Sequence, residues 1–168
     1  SYGELDRLSE ALGSWFQNQG LLPGARVAIM LPNLPQFAVT MAAVLRAGYV
    51  CVNVNPLYTA RELEHQLKDS GAASIVILEN FAHTLADVIE HTQVKHIVLT
   101  SLGDLLGSVY GRWMTFAVRH LAKMVPSFEI PLSDGRSVTS FKNAVSFGQK
   151  KPLQSISQSL DDIAFLQY

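Results

Sequence analysis

Apolar positions along this chain recur in two rhythms, one helical and one suited to buried strands. From Tyr2 onward, Leu5, Leu8, Leu12, Trp15 and Phe16 keep helical spacing, and Gly20 is placed as the C′ residue. After Pro23-Gly24, the run Arg26-Val27-Ala28-Ile29-Met30-Leu31 predicts a short buried strand, stopped by Pro32. Asn33, with Gln36 three residues on, has capping-box spacing for a helix whose apolar face is Phe37, Met41, Val44 and Leu45 and whose end is Gly48. Val50, Val52 and Val54 predict a second strand that ends at Asn55-Pro56, because proline cannot donate to a ladder. Thr59 and Glu62 repeat the capping-box spacing and open a helix that runs to about Gly71. Ala73-Ser74-Ile75-Val76-Ile77-Leu78 predicts a third strand, Asn80 caps a helix through Leu85, Val88 and Ile89, and His96-Ile97-Val98-Leu99-Thr100 predicts a fourth strand.

Strand and helix therefore alternate from Arg26 to Thr100. That order predicts an α/β fold: a mainly parallel sheet with flanking helices, built from Rossmann-like βα units joined by right-handed crossovers. Residues 1–100 form the βα-alternating part. Residues 101–126 are an amphipathic basic helix region, 127–160 a loop-rich connection with a short helix over 137–145, and 161–168 a final strand. No repeat at a fixed period is visible.

The 101–126 region stands apart. Between Asp104 and Glu129 there is no acidic residue, while Arg112, Arg119 and Lys123 fall on one side of a helical wheel. Tyr110, Met114, Ala117, Val118, Leu121 and Val125 point broadly the other way, with Trp113 and Phe116 on the flanks. A basic face opposed to an aromatic-containing apolar face suits a helix lying in a membrane interface. Arg112, Trp113, Phe116, Arg119 and Lys123 are its candidate interface residues, and the alternative is a packed helix with solvated cations. Gly103, Gly107 and Gly111 cut into the helical pattern, so the helix is expected to begin only after Gly111. Their small-x-x-x-small spacing also permits a close backbone contact.

Composition narrows the function classes. Among 168 residues, 48% are hydrophobic and the formal net charge is −1, which argues against a nucleic-acid partner. The one cysteine, Cys51, excludes an internal disulfide and suits a reducing cytoplasm. No leader pattern opens the chain, and no apolar run is long enough to span a bilayer. The start at Ser1 and the stop after Ile163-Ala164-Phe165-Leu166 lead us to expect a fragment of a longer protein.

The candidate chemistries are few. No glycine-rich phosphate cradle of either common spacing occurs. His65, His83, His91, His96 and His120 form no metal-ligand pair in sequence, and one cysteine cannot build a structural zinc site. There is no Gly-x-Ser-x-Gly elbow, and Cys51 falls on a buried strand, where a thiol behaves as a small apolar group. Glu62 and Glu64, two apart on a helix, do not face each other.

The wording of the chain says more. Val54-Asn55-Pro56-Leu57-Tyr58-Thr59-x-x-Glu62-Leu63-x-x-x-Leu67 resembles the acyl-adenylate-forming enzymes, and within them the bacterial long-chain fatty-acid–CoA ligases. Tyr2-Gly3-Glu4-Leu5, Gly24-Ala25-Arg26-Val27-Ala28, Leu31-Pro32-Asn33 and Leu45-Arg46-Ala47-Gly48 follow in the family's order. Asp69-Ser70-Gly71-Ala72, Asn80-Phe81-Ala82-His83-Thr84 and Ala164-Phe165-Leu166-Gln167-Tyr168 resemble the long-chain bacterial branch in particular. The resemblance implies a two-step reaction: a fatty-acid carboxylate attacks Mg-ATP to give an acyl-adenylate, and the thiol of coenzyme A then displaces AMP. It also implies that the phosphate loop, the adenine- and ribose-binding groups, the magnesium ligand and the catalytic lysine follow Tyr168. The chain alone is then expected to be inactive and to bind neither ATP, Mg2+ nor coenzyme A. Only Gln167 and Tyr168 are expected at the edge of the nucleotide site, and the end of a buried strand explains them equally well. Expected partners are a long-chain fatty acid, the remainder of the enzyme, a membrane surface and a second copy of the chain. The expected location is cytoplasmic, peripheral on the inner face of the cell membrane. Two other readings stay open: a membrane or protein-interaction module acting through residues 104–125, and a small Rossmann-like binding domain.

Overall fold

The computed structural model describes residues 1–168, the side chain of Ser108 apart. Six helices, α1 (Tyr2–Gln17), α2 (Pro35–Arg46), α3 (Ala60–Ser70), α4 (Ala82–Ala86), α5 (Ser108–Phe116) and α6 (Phe141–Gly148), are interleaved with six strands. The strands are β1 (Arg26–Met30), β2 (Val50–Asn53), β3 (Ser74–Leu78), β4 (His96–Thr100), β5 (Ser137–Ser140) and β6 (Phe165–Leu166). They form one sheet in the order β5-β4-β3-β1-β2-β6. All five pairings are parallel.

Helices cover both faces. One core gathers Leu12, Trp15 and Phe16 of α1, Val39 and Val44 of α2 and Phe141 of α6 over Val27, Ile29, Val76 and Val98. The other packs Leu63 and Leu67 of α3 and Leu85 of α4 against Ala28, Met30, Ile75, Ile77 and Ile97. After their first residues, Arg26 and Ser74, β1 and β3 are continuous apolar runs, as burial on both faces of the sheet requires. Gly148 lets α6 press on α1, since a Cβ there would lie 1.7 Å from the Ala11 carbonyl oxygen.

The local signals held at α3 and failed at two other helix starts and one helix end. Thr59 and Glu62 form a full capping box, and Gly71 closes α3 in the left-handed conformation at φ 62°. At α2, by contrast, the cap is Leu34 with Pro35 in the first turn, and Asn33 makes no cap. Gln36 is buried, and its amide donates to the Ser101 carbonyl at 3.0 Å, so a tertiary bond took the side chain from the capping box. Asn80 lies inside a 3₁₀ turn, Glu79–Phe81, and donates to the Met124 carbonyl at 2.9 Å rather than capping α4. α1 ends at Asn18, which puts Gly20 one position beyond C′.

Two longer-range expectations also change. The stretch expected to be a helix over 137–145 divides into β5, parallel to β4, and α6, capped by Ser140. The helix expected over 104–125 starts at Ser108 rather than after Gly111, runs to Phe116 and continues as a π-helical turn, Ala117–Leu121. Lys123, at φ 50°, stands outside it in a backbone region that few non-glycine residues adopt.

Candidate functional site

Two groups of residues stand out, and the sheet order keeps them apart. Gln167 and Tyr168 follow β6 at one edge, whereas α5 follows β4, with β3, β1 and β2 between them. Four inter-strand spacings amount to about 19 Å.

At the β6 edge, the Asn53 amide donates to Gln167 Oε1 at 3.4 Å, and the Tyr168 hydroxyl donates to Asp69 Oδ2 at 2.6 Å. The hydrogen bond to the Asp69 carboxylate, with a smaller contribution from burial, holds the Tyr168 phenol above its ordinary range. Gln66 Nε2 donates to the Asn53 carbonyl at 2.8 Å. The remaining acceptors, Asn53 Oδ1 and Gln66 Oε1, are buried and have no protein partner. Two orphaned acceptors beside the outgoing chain form a corner that a hydrogen-bond donor would complete.

The second group lies across the carboxyl ends of β4 and β3. Asp104 is its anchor. It accepts from Thr100 Oγ1 at 2.9 Å, from the Ser101 amide at 2.9 Å and from Ser101 Oγ at 2.8 Å, and it pairs with Lys142 at 3.2 Å. Ser101 Oγ also meets Thr115 Oγ1 at 3.1 Å, which ties α5 to this loop. The closest approach is between backbones. A Cβ on Gly103 would lie 2.0 Å from the Gly111 oxygen, and one on Gly111 would lie 2.1 Å from the Gly103 oxygen. The glycine spacing seen in the sequence is thus a contact between a loop and a helix.

That contact decides which way α5 faces. Gly111 and Val118 turn inward, and Val109, Tyr110, Trp113 and Phe116 turn outward. Trp113 is 58% exposed and Phe116 53%, so the aromatics expected on the flanks are the outer ridge. Tyr110 and Trp113 stack with centroids 6.3 Å apart. The expected basic face is also redistributed. Arg119 turns to Glu79, a carboxylate only 4% exposed at the end of β3, and donates from Nε to Oε2 at 2.9 Å. That hydrogen bond raises the Arg119 pKa above its usual range. Arg112 stays exposed on the helix, while Lys123 is exposed beyond its end.

The sequence carried no sign of Glu79 as a partner, because the bond spans 40 residues. Glu79 Oε1, Asn80 Oδ1 and His83 Nδ1 around it are buried without partners. An apolar pocket of about 170 Å³, lined by Leu34, Leu102, Leu105, Leu106 and Met114 among others, opens beside α5. A larger cavity of about 750 Å³ lies at the amino ends of β1 and β2, between Tyr49 and residues 156–164.

Other candidate chemistries find no support in the geometry. Cys51 is buried, its Sγ faces the Met41 carbonyl at 3.8 Å, and burial pushes its thiol up to about 12. Such a thiol is not a nucleophile near neutral pH. Among the described residues no group of three or more His, Cys, Asp or Glu side chains is placed to hold a metal ion.

With the fold and these two regions established, comparison with known proteins identifies the family. The family model described as "AMP-binding enzyme" matches residues 1–168. The chain belongs to the AMP-binding enzyme family. Among curated members, the long-chain-fatty-acid–CoA ligase of Salmonella typhimurium is 44% identical over 169 residues, covering 100% of this chain and 29% of that protein. The Escherichia coli O157:H7 ligase of the same description is 44% identical over 171 residues. The chain spans about 29% of the length of the curated relatives it matches. Among solved structures, a long-chain-fatty-acid-CoA ligase from Archaeoglobus fulgidus superposes with a TM-score of 0.70 at 21% identity, covering 100% of this chain and 27% of its own. The adenylation domain of a carboxylic acid reductase from Segniliparus rugosus, in complex with AMP and a co-purified carboxylic acid, gives 0.75 at 16% identity, covering 98% of this chain and 26% of its own. The sheet with its flanking helices is therefore the fold of the N-terminal domain of adenylate-forming enzymes.

Proposed function

We propose that this chain is the N-terminal part of an ATP-dependent long-chain fatty-acid–CoA ligase. The intact enzyme joins a fatty acid to coenzyme A through an acyl-adenylate, releasing AMP and diphosphate. The observation that carries this reading is 44% identity, sustained over the whole chain, to bacterial ligases of that description. Residues 1–168 contribute the sheet and its two helical layers and perform no ligation by themselves. ATP, Mg2+ and coenzyme A belong to the intact enzyme in this reading. Mg2+ is held by one or two carboxylates together with substrate phosphates, and this reading assigns both to the remainder of the intact enzyme. No glycine-rich phosphate cradle occurs in the sequence.

The β6 corner supports placing Gln167 and Tyr168 at the edge of the nucleotide site. They lie beside two buried acceptors that lack partners, as a segment bringing in backbone N–H groups would require. A peripheral position on the inner face of the membrane belongs to the same reading, as does a contact between two copies. The latter is supported by the open edge of β6, where Ile163 and Phe165 are exposed.

An acyl-CoA assay with oleate, ATP and coenzyme A tests the reading on this chain and on the chain extended to the length of its relatives. Activity is expected only in the extended protein. Thioester formation by residues 1–168 alone would overturn the division of labour, and an extended protein inactive on every long-chain acid would overturn the substrate class.

A further inference from the structure

We propose that the outward ridge of α5 and its π-helical turn is a docking surface for an anionic phospholipid bilayer. The contact stands on the geometry of the ridge, and only its purpose, collecting a poorly soluble fatty acid, rests on the ligase reading. Val109, Tyr110, Trp113, Phe116 and Leu121 are all more than half exposed, whereas Gly111 and Val118 of the same segment are buried. Tryptophan and tyrosine prefer the boundary between headgroups and acyl chains, because one end of each ring is apolar and the other can hydrogen-bond. Charge selects the kind of surface. Arg112 and Lys123 are exposed beside the ridge, residues 105–128 contain no aspartate or glutamate, Asp104 is paired with Lys142, and Arg119 is engaged by Glu79 and so adds no net charge. Cations around an aromatic ridge complement anionic lipid headgroups.

The structure also shows how the ridge is held out. The reciprocal Gly103–Gly111 contact, the Ser101–Thr115 bond and the Arg119–Glu79 pair fix the opposite side of α5 to the sheet. No helix among the described residues is long and apolar enough to cross a membrane, so this contact is interfacial and not spanning.

Trp113 supplies the test: Trp15 is only 4% exposed, and the difference between the intact ligase and its Trp113→Phe variant isolates the Trp113 emission from that of every other tryptophan in the enzyme. In the intact ligase, vesicles of phosphatidylglycerol and phosphatidylethanolamine should shift the Trp113 emission to the blue, and brominated phosphatidylglycerol should quench it. Pure phosphatidylcholine should do neither. Trp113→Ser with Phe116→Ser should weaken vesicle co-sedimentation at least tenfold. Lys123→Gln should weaken it about fivefold, as expected for one cation at an anionic surface. Arg119 is left intact because its removal would strand Glu79. Absence of both the shift and co-sedimentation with anionic vesicles overturns the proposal. So does a Trp113 already shielded from iodide without lipid, which would mean that the rest of the enzyme covers the ridge. Self-association without lipid that Trp113→Ser with Phe116→Ser abolishes overturns it as well, in favour of a second copy. Vesicle binding without ligase activity would defeat the ligase reading and leave the surface standing. Activity on detergent-dispersed oleate without vesicle binding would do the reverse.

Discussion

α3 and α5 are both amphipathic helices of this chain, yet they are held by different means. α3 carries its own start and stop, Thr59 with Glu62 and then Gly71, and turns its apolar side to the sheet. α5 has no side-chain cap, begins after Gly107, runs into a π-helical turn and presents aromatic residues to solvent. Local chemistry is enough to build a helix of the first kind. A helix of the second kind depends on contacts made elsewhere, and here those contacts are a pair of glycines and an ion pair.

The largest effects should come from filling the glycine contacts. Gly148→Ala puts a Cβ against the α1 backbone, and a loss of about 3 kcal/mol is expected because backbone atoms yield little. Gly111→Ala should cost a similar amount locally, but it should release α5 while the sheet keeps its own unfolding transition. Hydrogen exchange resolved by residue would separate the two, and global destabilisation by Gly111→Ala would erase the distinction between the regions. Next comes the ion pair. Arg119→Ala leaves a buried carboxylate without its cation, and about 2 kcal/mol is expected once the half-exposure of Arg119 is discounted. Urea unfolding should show that loss, reduced when Glu79→Gln is added.

The cap at α3 should matter less. Thr59→Ala should lower stability by about 1 kcal/mol, and thermal unfolding would register it. A change near zero would mean that packing alone holds α3. The smallest effect near neutral pH concerns Cys51. Its folded thiol titrates at about 12 against an ordinary value of 9.0. The contribution of the buried neutral thiol is therefore complete below pH 9 and fades as the pH rises toward 12, where the unfolded chain alone gains by ionising. Stability of Cys51→Ala measured across that range should fall less steeply than that of the parent.

Much of the fold was legible in the sequence. Uniform apolar runs marked β1 to β4, and their alternation with helical patterns marked a parallel sheet. Two-residue β6 and the Ser137–Ser140 strand carry weaker patterns, and β5 joins the sheet only because its backbone pairs with β4. The candidate sites were less legible. Gln167 and Tyr168 stood out through resemblance, but their neighbours Asn53, Gln66 and Asp69 are more than 95 residues away in sequence. The 101–126 region was marked by charge and aromatic content, and Trp113 and Phe116, expected on its flanks, form the exposed ridge, while Arg119 is drawn to Glu79 by a contact the sequence does not display.

The sequence by itself determined the existence of β1 to β4 and their alternation with helices, the ends of α3, the family resemblance and the absence of acid between Asp104 and Glu129. Hydrophobic period, capping spacing and proline stops act within a few residues, so a linear chain displays them. The tertiary structure alone decided that Gln36 would leave its cap for Ser101, that Asn80 would reach Met124, that Arg119 would turn to Glu79 and that Gly103 would meet Gly111. Each of those is a competition between a local bond and a distant one. It is settled only when the sheet brings the distant partner within reach and excludes the water that would otherwise have replaced it.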